Sequence, residues 1–473
     1  MSYSHAQTQR VHLALQVTGF ALLTGLLTLI FLSGRSELFV QGMLALSCLL
    51  ILLKKPHWGV LIILVMWLTN VSPSIMGIRQ LTIAYLISPI LLIPLAVAIW
   101  RDHDIWAWHM PQVKILVAIG ALLLISTAWN EFRHPVTLVP GIDNTREILQ
   151  LFATRFMFLI FFVYFISTPE RIELAAWVLL AVVIASALDA VYNLLDPGAR
   201  RAWSSFGTGR NANRLAFLCL FGTSLLWFYR AHGGRRWLRS LALPLLFPMP
   251  ALVLASGSRS GFLQLLVFIA FAVKEREGWS VAKRIRSFLV LGFVSLVLLS
   301  IVPAANLIRA TTFETAAVAP GGASLTNRLK TIGAAVELVA SDPIFGIGIG
   351  NFRWMHQAYY GSELATHNSY LWALLAGGVG VLGLYLLLFY FTYGMLRDLE
   401  EAGPRELLWL SKGLKVSFIL LMIFSAFADY WHSDILYAML GLTLAMTHLA
   451  QRAPQRATLV EPRTVFAPIP QRQ

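Results

Sequence analysis

Charge is what this sequence has least of. Only 13% of its 473 residues are charged and 58% are hydrophobic, against about 25% charged in a soluble domain. That balance excludes an ordinary water-soluble fold. Cysteine is nearly absent. Cys48 and Cys219 both fall inside apolar runs, which rules out a disulfide framework and any cysteine-based zinc spacing. Acids are also few, 23 against 37 basic residues, and no Asp-x-Asp or clustered acid pair is visible in the segments expected outside the membrane. That argues against a metal site. No repeat of fixed period and no soluble stretch of domain size is visible.

What is present is a series of long apolar runs. About fourteen approach the length of roughly 20 residues that a bilayer-spanning helix needs. They lie near 13–32, 38–53, 58–72, 81–100, 113–129, 148–167, 172–193, 211–229, 240–256, 261–273, 287–305, 368–392, 413–428 and 433–450. The expectation is an all-α polytopic membrane protein with about 12–14 transmembrane helices. Residues 1–450 form one integral membrane domain. The tail 451–473, rich in Pro and Arg, is expected to be disordered in the cytoplasm.

With a cytoplasmic N-terminus and alternating helices, Lys and Arg concentrate inside, as they should. The basic residues left outside are nearly all Arg, with Lys330 the only lysine. Arg binds phosphate oxygens through a rigid planar fork, whereas Lys is a point charge. Lysine depletion outside is also what the topology rule alone would leave, so both readings stand.

Three outside segments are long enough to carry function: 130–147, 194–210 and about 306–367. In the third, Leu325, Leu329, Ile332, Val336 and Val339 make an apolar stripe at helical spacing. A helix lying on the membrane surface and stopped by Asp342-Pro343 fits that pattern.

Four constellations could carry chemistry. In "GSRSG", Arg259 sits in a short turn between two runs. Free N–H groups at the next helix start plus a guanidinium would bind an anion; a snorkelling Arg in a tight hairpin fits equally. "RRAWSSFGTGRNANR" brings Arg200, Arg201, Arg210 and Arg214 into fifteen residues, with Asn211 and Asn213 among them. That set suits a phosphate or pyrophosphate, or an ordinary anionic headgroup. In "FGIGIGNF" the Gly346, Gly348, Gly350 series lacks a preceding strand, so it is no nucleotide loop. It is a turn that lets backbone approach another segment. Finally, His367 and Asn368 open a long apolar run. A neutral imidazole there can accept a proton, and surrounding basic groups would hold its pKa down. A capping or packing histidine is the plain alternative, and Asn368 either holds the ring or caps the helix.

"GSRSG", "TNRLKTIGAAVELVASDPIFGIGIGNF" and "HNSYLWALLAGGVGVLG", in that order and all on the outer side, resemble the O-antigen ligase and Wzy-type polysaccharide polymerase superfamily. The resemblance covers about 200–390. It implies a GT-C-like membrane glycosyltransferase that works without metal or cofactor. It further implies a bacterial inner-membrane location, with the site facing the periplasm. The donor would be a glycan on undecaprenyl diphosphate; the acceptor would be a hydroxyl on lipid A-core or on a growing polysaccharide. By the same resemblance His367 activates the acceptor, while Arg259 and Arg328 bind the diphosphate. Arg210 is the match in the earlier basic segment, with Arg201 and Arg214 beside it. Asn368 and Asn211 support. That segment usually carries Pro-Asn before its helix and here reads "GRNANRLA". Nucleic acid is not an implied partner. A protein O-oligosaccharyltransferase shares the motif set. A lipid-linked-glycan flippase is the alternative of another class, with Arg155 and Asp189 as its charged candidates within runs.

Overall fold

The computed structural model describes residues 46–69, 83–102, 105–133, 145–195, 201–205, 211–274, 323–361, 365–429 and 433–459. Among them there is no β-strand. The chain is an all-α multi-pass membrane protein.

Helix α1 (Leu46–Lys54) meets α2 (Pro56–Thr69) at a bend of 111°. Pro56 opens the second piece, and a residue before proline is biased away from helical geometry, so the break falls at Lys55. α3 (Ile83–Asp102) carries Pro89 and Pro94 within it. After the single turn α4 (Trp106–His109) come α5 (Pro111–Arg133), α6 (Thr145–Phe165) and α7 (Pro169–Leu194). The start of α7 is written in its sequence. Thr168 accepts a hydrogen bond from the Arg171 N–H and Pro169 takes the first helical position.

The core gathers around α8 (Ala212–His232). It is buried along most of its length by α15, α9 (Arg236–Leu245), α10 (Pro248–Ala255) and α11 (Arg259–Lys274). Its partner α15 (Leu408–Ser425) stacks Phe424 on Phe217 at 5.1 Å, with the rings 7° apart. At the other end Tyr229 meets both Trp177 and Trp409 edge-on at 4.8 Å. Apolar residues therefore sit on every side of α8, as in a helix enclosed by other helices. The outer helices carry their exposed apolar residues toward lipid, Trp100, Leu188 and Tyr390 among them.

α12 (Ala323–Ser341) and α13 (Asn351–Tyr360) follow. They precede the longest helix, α14 (Ser369–Ala402), and α16 (Asp434–Leu459) closes the described chain. α14 breaks at Gly377 (φ −156°, ψ 23°) and Gly378 (φ 68°, ψ −163°). The break strands backbone groups, and the glycine-rich turn after α12 satisfies them. The Ile347 N–H donates to the Leu375 carbonyl at 2.8 Å, and the Val379 N–H donates to the Pro343 carbonyl at 3.0 Å. The approach needs glycine on both sides. A Cβ on Gly346 would lie 2.3 Å from the Leu375 oxygen, and one on Gly378 would lie 2.1 Å from the Ile344 oxygen.

Among the described residues, seven helices are long and apolar enough to cross a membrane, or eight if the bent α1–α2 pair is one span. The expected runs 13–32 and 287–305 lie outside the described residues. The run near 261–273 forms α11, of 16 residues. The run near 240–256 falls in α9 and α10, which are interrupted at Leu246-Phe247 yet together make one of these seven spans. α16 continues to Leu459, so residues 451–459, expected to be without structure, are helical. The helix formers Gln451, Arg452, Arg456 and Ala457 carry it on.

Candidate functional site

The site is built where α14 begins. Asn368 is the N-cap of α14: its side-chain oxygen accepts from the N–H groups of Tyr370 and Leu371, both at 3.0 Å. Of the two roles open to Asn368, capping is the one its geometry fills. His367 precedes it with φ 47°. That is the left-handed region, where a side chain other than glycine costs of order 1–3 kcal/mol unless its surroundings hold it.

Asp429 holds it. This residue lies in the connection between α15 and α16, and its carboxylate gathers three donors. One oxygen accepts from the Thr366 hydroxyl and from the Asn368 N–H at 3.1 Å; the other accepts from the His367 N–H at 3.0 Å. Ser369 adds a bond from its hydroxyl to the Ala428 carbonyl at 2.7 Å, and the Tyr370 hydroxyl reaches the Met422 carbonyl at 2.8 Å. The His367 segment is thus stitched to the end of α15.

Cations surround this point. Arg328, on α12, is half-buried and feels the charges of both Arg259 and Asp429. Burial pulls its pKa down, Arg259 adds to that, and Asp429 opposes it. A guanidinium stays protonated at neutral pH regardless. His367 keeps an accessible surface. Its pKa falls below the ordinary 6.5 chiefly because the protein strips part of its water; Asp429 pulls the other way, and Arg328 and Arg353 push down with burial. The direction agrees with the sequence reading, but the leading cause is burial, not the basic neighbourhood.

The turn bearing Arg259 is more tightly made than its sequence indicates. Gly257 sits at φ 61°. Ser258 caps α11, its hydroxyl accepting from the Gly261 N–H at 3.1 Å. That N–H is consequently taken up by the cap. Arg201 joins the same turn by donating from Nε to the Ser256 carbonyl at 2.7 Å, and the Ala202 N–H donates to Ala255 at 3.0 Å. Arg214 stands in the first turn of α8. Asn211 caps that helix by accepting from the N–H groups of Asn213 and Arg214. Gly261 packs so close to Ala216 that a Cβ would lie 2.6 Å from it, so the starts of α8 and α11 are in contact. Arg200 and Arg210 lie outside the described residues.

Arg328 thus feels the charge of Arg259 on one hand and acts on His367 on the other. The structure ties Arg201 to the Arg259 turn and gives Asn211 and Asn368 capping work. Sequence reasoning missed Asp429 and Arg353. The available signal for Asp429 was a lone carboxylate between two apolar runs; for Arg353 it was a cation three residues past the last glycine of "GIGIG".

Residues 244–388 match the family model described as O-antigen ligase. Over that stretch the chain resembles the O-antigen ligase family. The matched stretch begins within α9 and ends within α14, and it contains Arg259, Arg328, Arg353 and His367, whereas Asp429 lies beyond it. That match supports a membrane glycan-transfer role in general. No curated protein matches the chain.

The charged groups within runs that would have suited a transporter have partners here. Arg155 pairs with Asp434 at 2.8 Å and lies over the Trp67 ring at 5.0 Å. Asp189 accepts from the Ser204 hydroxyl at 2.9 Å and from the Ser205 N–H at 2.6 Å, holding the 201–205 segment.

Proposed function

We propose that this protein transfers a glycan from an undecaprenyl-diphosphate carrier to an acceptor hydroxyl at the periplasmic face of the bacterial inner membrane. It would do so as an O-antigen ligase or polysaccharide polymerase, with inversion and without a metal. The observation that carries the reading is the placement of His367: pinned by Asp429, accessible, and within the field of Arg328 and Arg353. The family match over the same segment supports it.

The chemistry follows from those groups. His367, neutral near pH 7, takes the proton as the acceptor oxygen attacks the anomeric carbon. The bond from that carbon to the phosphate oxygen breaks, and the carrier diphosphate leaves with the electron pair. Negative charge gathers there in the transition state, where fixed arginines stabilise it. Arg259 and Arg328 serve that role, with Arg201, Arg210 and Arg214 as further diphosphate-binding candidates. No nucleotide is consumed, because the sugar–diphosphate bond of the donor supplies the energy. The acceptor is lipid A-core for a ligase or the growing polysaccharide for a polymerase.

The test is the length of glycan left on the carrier lipid in cells lacking the protein. Long chains stranded on lipid mean that the final transfer has failed, hence a ligase. Single repeat units mean that chain growth has failed, hence a polymerase. An unchanged profile overturns both. In the purified protein, His367→Ala should lower transfer by about 10²–10⁴-fold while the protein stays folded. Turnover at the wild-type rate would remove His367 from the reaction, and the same result for Arg259→Ala would remove that arginine.

A further inference from the structure

The turn between α12 and α13 has no secondary structure of its own, yet the site hangs on it. Arg328 lies on the helix before it, Arg353 on the helix after it, and His367 at the start of the helix whose break it enters. Beyond the two backbone bonds to the break, the turn is gripped from α5. Ser126 is fully buried, and its hydroxyl lies 2.5 Å from the Phe345 carbonyl and 2.8 Å from the Ala376 carbonyl. A hydroxyl has one proton, so that proton is shared between the turn and the broken helix. Asn130, also buried, donates from Nδ2 to Gly346 at 3.1 Å and to the Ser126 carbonyl at 2.8 Å. Between them lies Trp129, which donates to Asp342 at 3.1 Å and packs on Phe345 at 5.3 Å.

We propose that Ser126 and Asn130 are positioning residues for glycan transfer: from a helix that carries none of the site's charged groups, they lock the glycine turn into the break of α14. They thereby fix the arginines of α12 and α13 relative to His367. The inference rests on the glycan-transfer reading above. Neither residue touches the reacting atoms. Their effect passes through the turn, and a displacement on the order of 1 Å at a reacting group costs up to about a hundred-fold in rate.

The test uses the full chain in nanodiscs and the Ser126→Ala/Asn130→Ala double variant. Transfer is measured against donor concentration. In parallel, spin labels at Ile332 of α12 and Val379 of α14, both exposed, report the distance between those helices; Cys48 and Cys219 are replaced beforehand. The expected result is kcat reduced about ten- to hundred-fold, donor KM within about two-fold, and a broadened 332–379 distance distribution in a monodisperse protein. Wild-type kcat in the variant overturns the proposal. So does a loss that tracks the unfolded fraction while the distance distribution stays narrow. If the unsubstituted protein itself fails to transfer glycan, the functional reading fails and this role falls with it. Broadening in the variant would then mark a structural clamp alone.

Discussion

At the scale of single residues, the proposed transfer depends on a histidine kept neutral and held still. Because His367 has its pKa lowered from 6.5, the imidazolium forms only at a pH below that of an ordinary histidine. A base must be neutral to accept a proton, so transfer should hold its plateau through neutral pH and fall only on the acid side, with a midpoint below 6.5. A pH–rate profile of the purified protein measures this; a midpoint above 6.5 would contradict it. Asp429→Asn tests the holding. An amide presents donors to a pocket that already supplies three: the Thr366 hydroxyl and the N–H groups of His367 and Asn368. Leaving buried groups mispaired costs about 1–3 kcal/mol, so transfer should drop about 10- to 100-fold, with the His367 pH midpoint moving lower as the attractive charge is lost. His367 itself was legible, since a titratable pair at the mouth of an apolar run is a local pattern. Asp429 was not. It is 62 residues from His367 in sequence, and its role exists only once α15 and α14 are packed.

At the scale of elements, glycine marks the joint between the turn and α14. The spacing of Gly346, Gly348 and Gly350 announced a close backbone approach, but not that the segment approached would be Gly377-Gly378 of α14. Their mutual docking became visible only in three dimensions. Gly378 occupies a backbone region that only glycine adopts readily, and its missing Cβ is where the Ile344 carbonyl sits. Gly378→Ala should therefore destabilise the protein by more than about 3 kcal/mol, read as a lowered thermal midpoint in detergent. An unshifted midpoint would mean that the break can close into regular helix. The expected stripe on α12 illustrates a second limit of periodicity. Leu329, Ile332 and Val336 of that stripe are left uncovered, while its last member, Val339, packs with Ala335 and Leu338 toward α14. Spacing identified the helix and an apolar face; it could not say which face meets protein.

For the whole molecule, hydropathy alone gave the all-helical membrane class, because a spanning helix satisfies its own backbone and needs only length and apolarity. Which helix lies at the centre was not read from the sequence, although α8 is the least apolar of the candidate spans among the described residues. What distinguishes the centre is packing, and one polar tie supports it from the side. Arg155 and Asp434 join α6 to α16 beneath the aromatic cover of Trp67. Removing one partner of a pair this sheltered costs about 3–5 kcal/mol, and removing both restores much of it. Arg155→Met should thus unfold at clearly lower temperature than the wild type, with Arg155→Met/Asp434→Leu in between. A double variant no better than the single one would show that the charges are not acting as a pair.

The grip of α5 on the glycine turn also has a history in time. Ser126 meets its two acceptors 219 and 250 residues later in the chain. At about 5–20 residues per second of synthesis, its helix waits roughly 10–50 s in the nascent protein before those acceptors exist. Through that interval the buried hydroxyl and amide have only their own helix to bond to. Biogenesis of the protein accordingly passes through an inserted but open intermediate. The site is complete only after Asp429 has been made and bonds to the His367 segment, so a ribosome-bound chain that stops short of Asp429 carries inserted helices without a site.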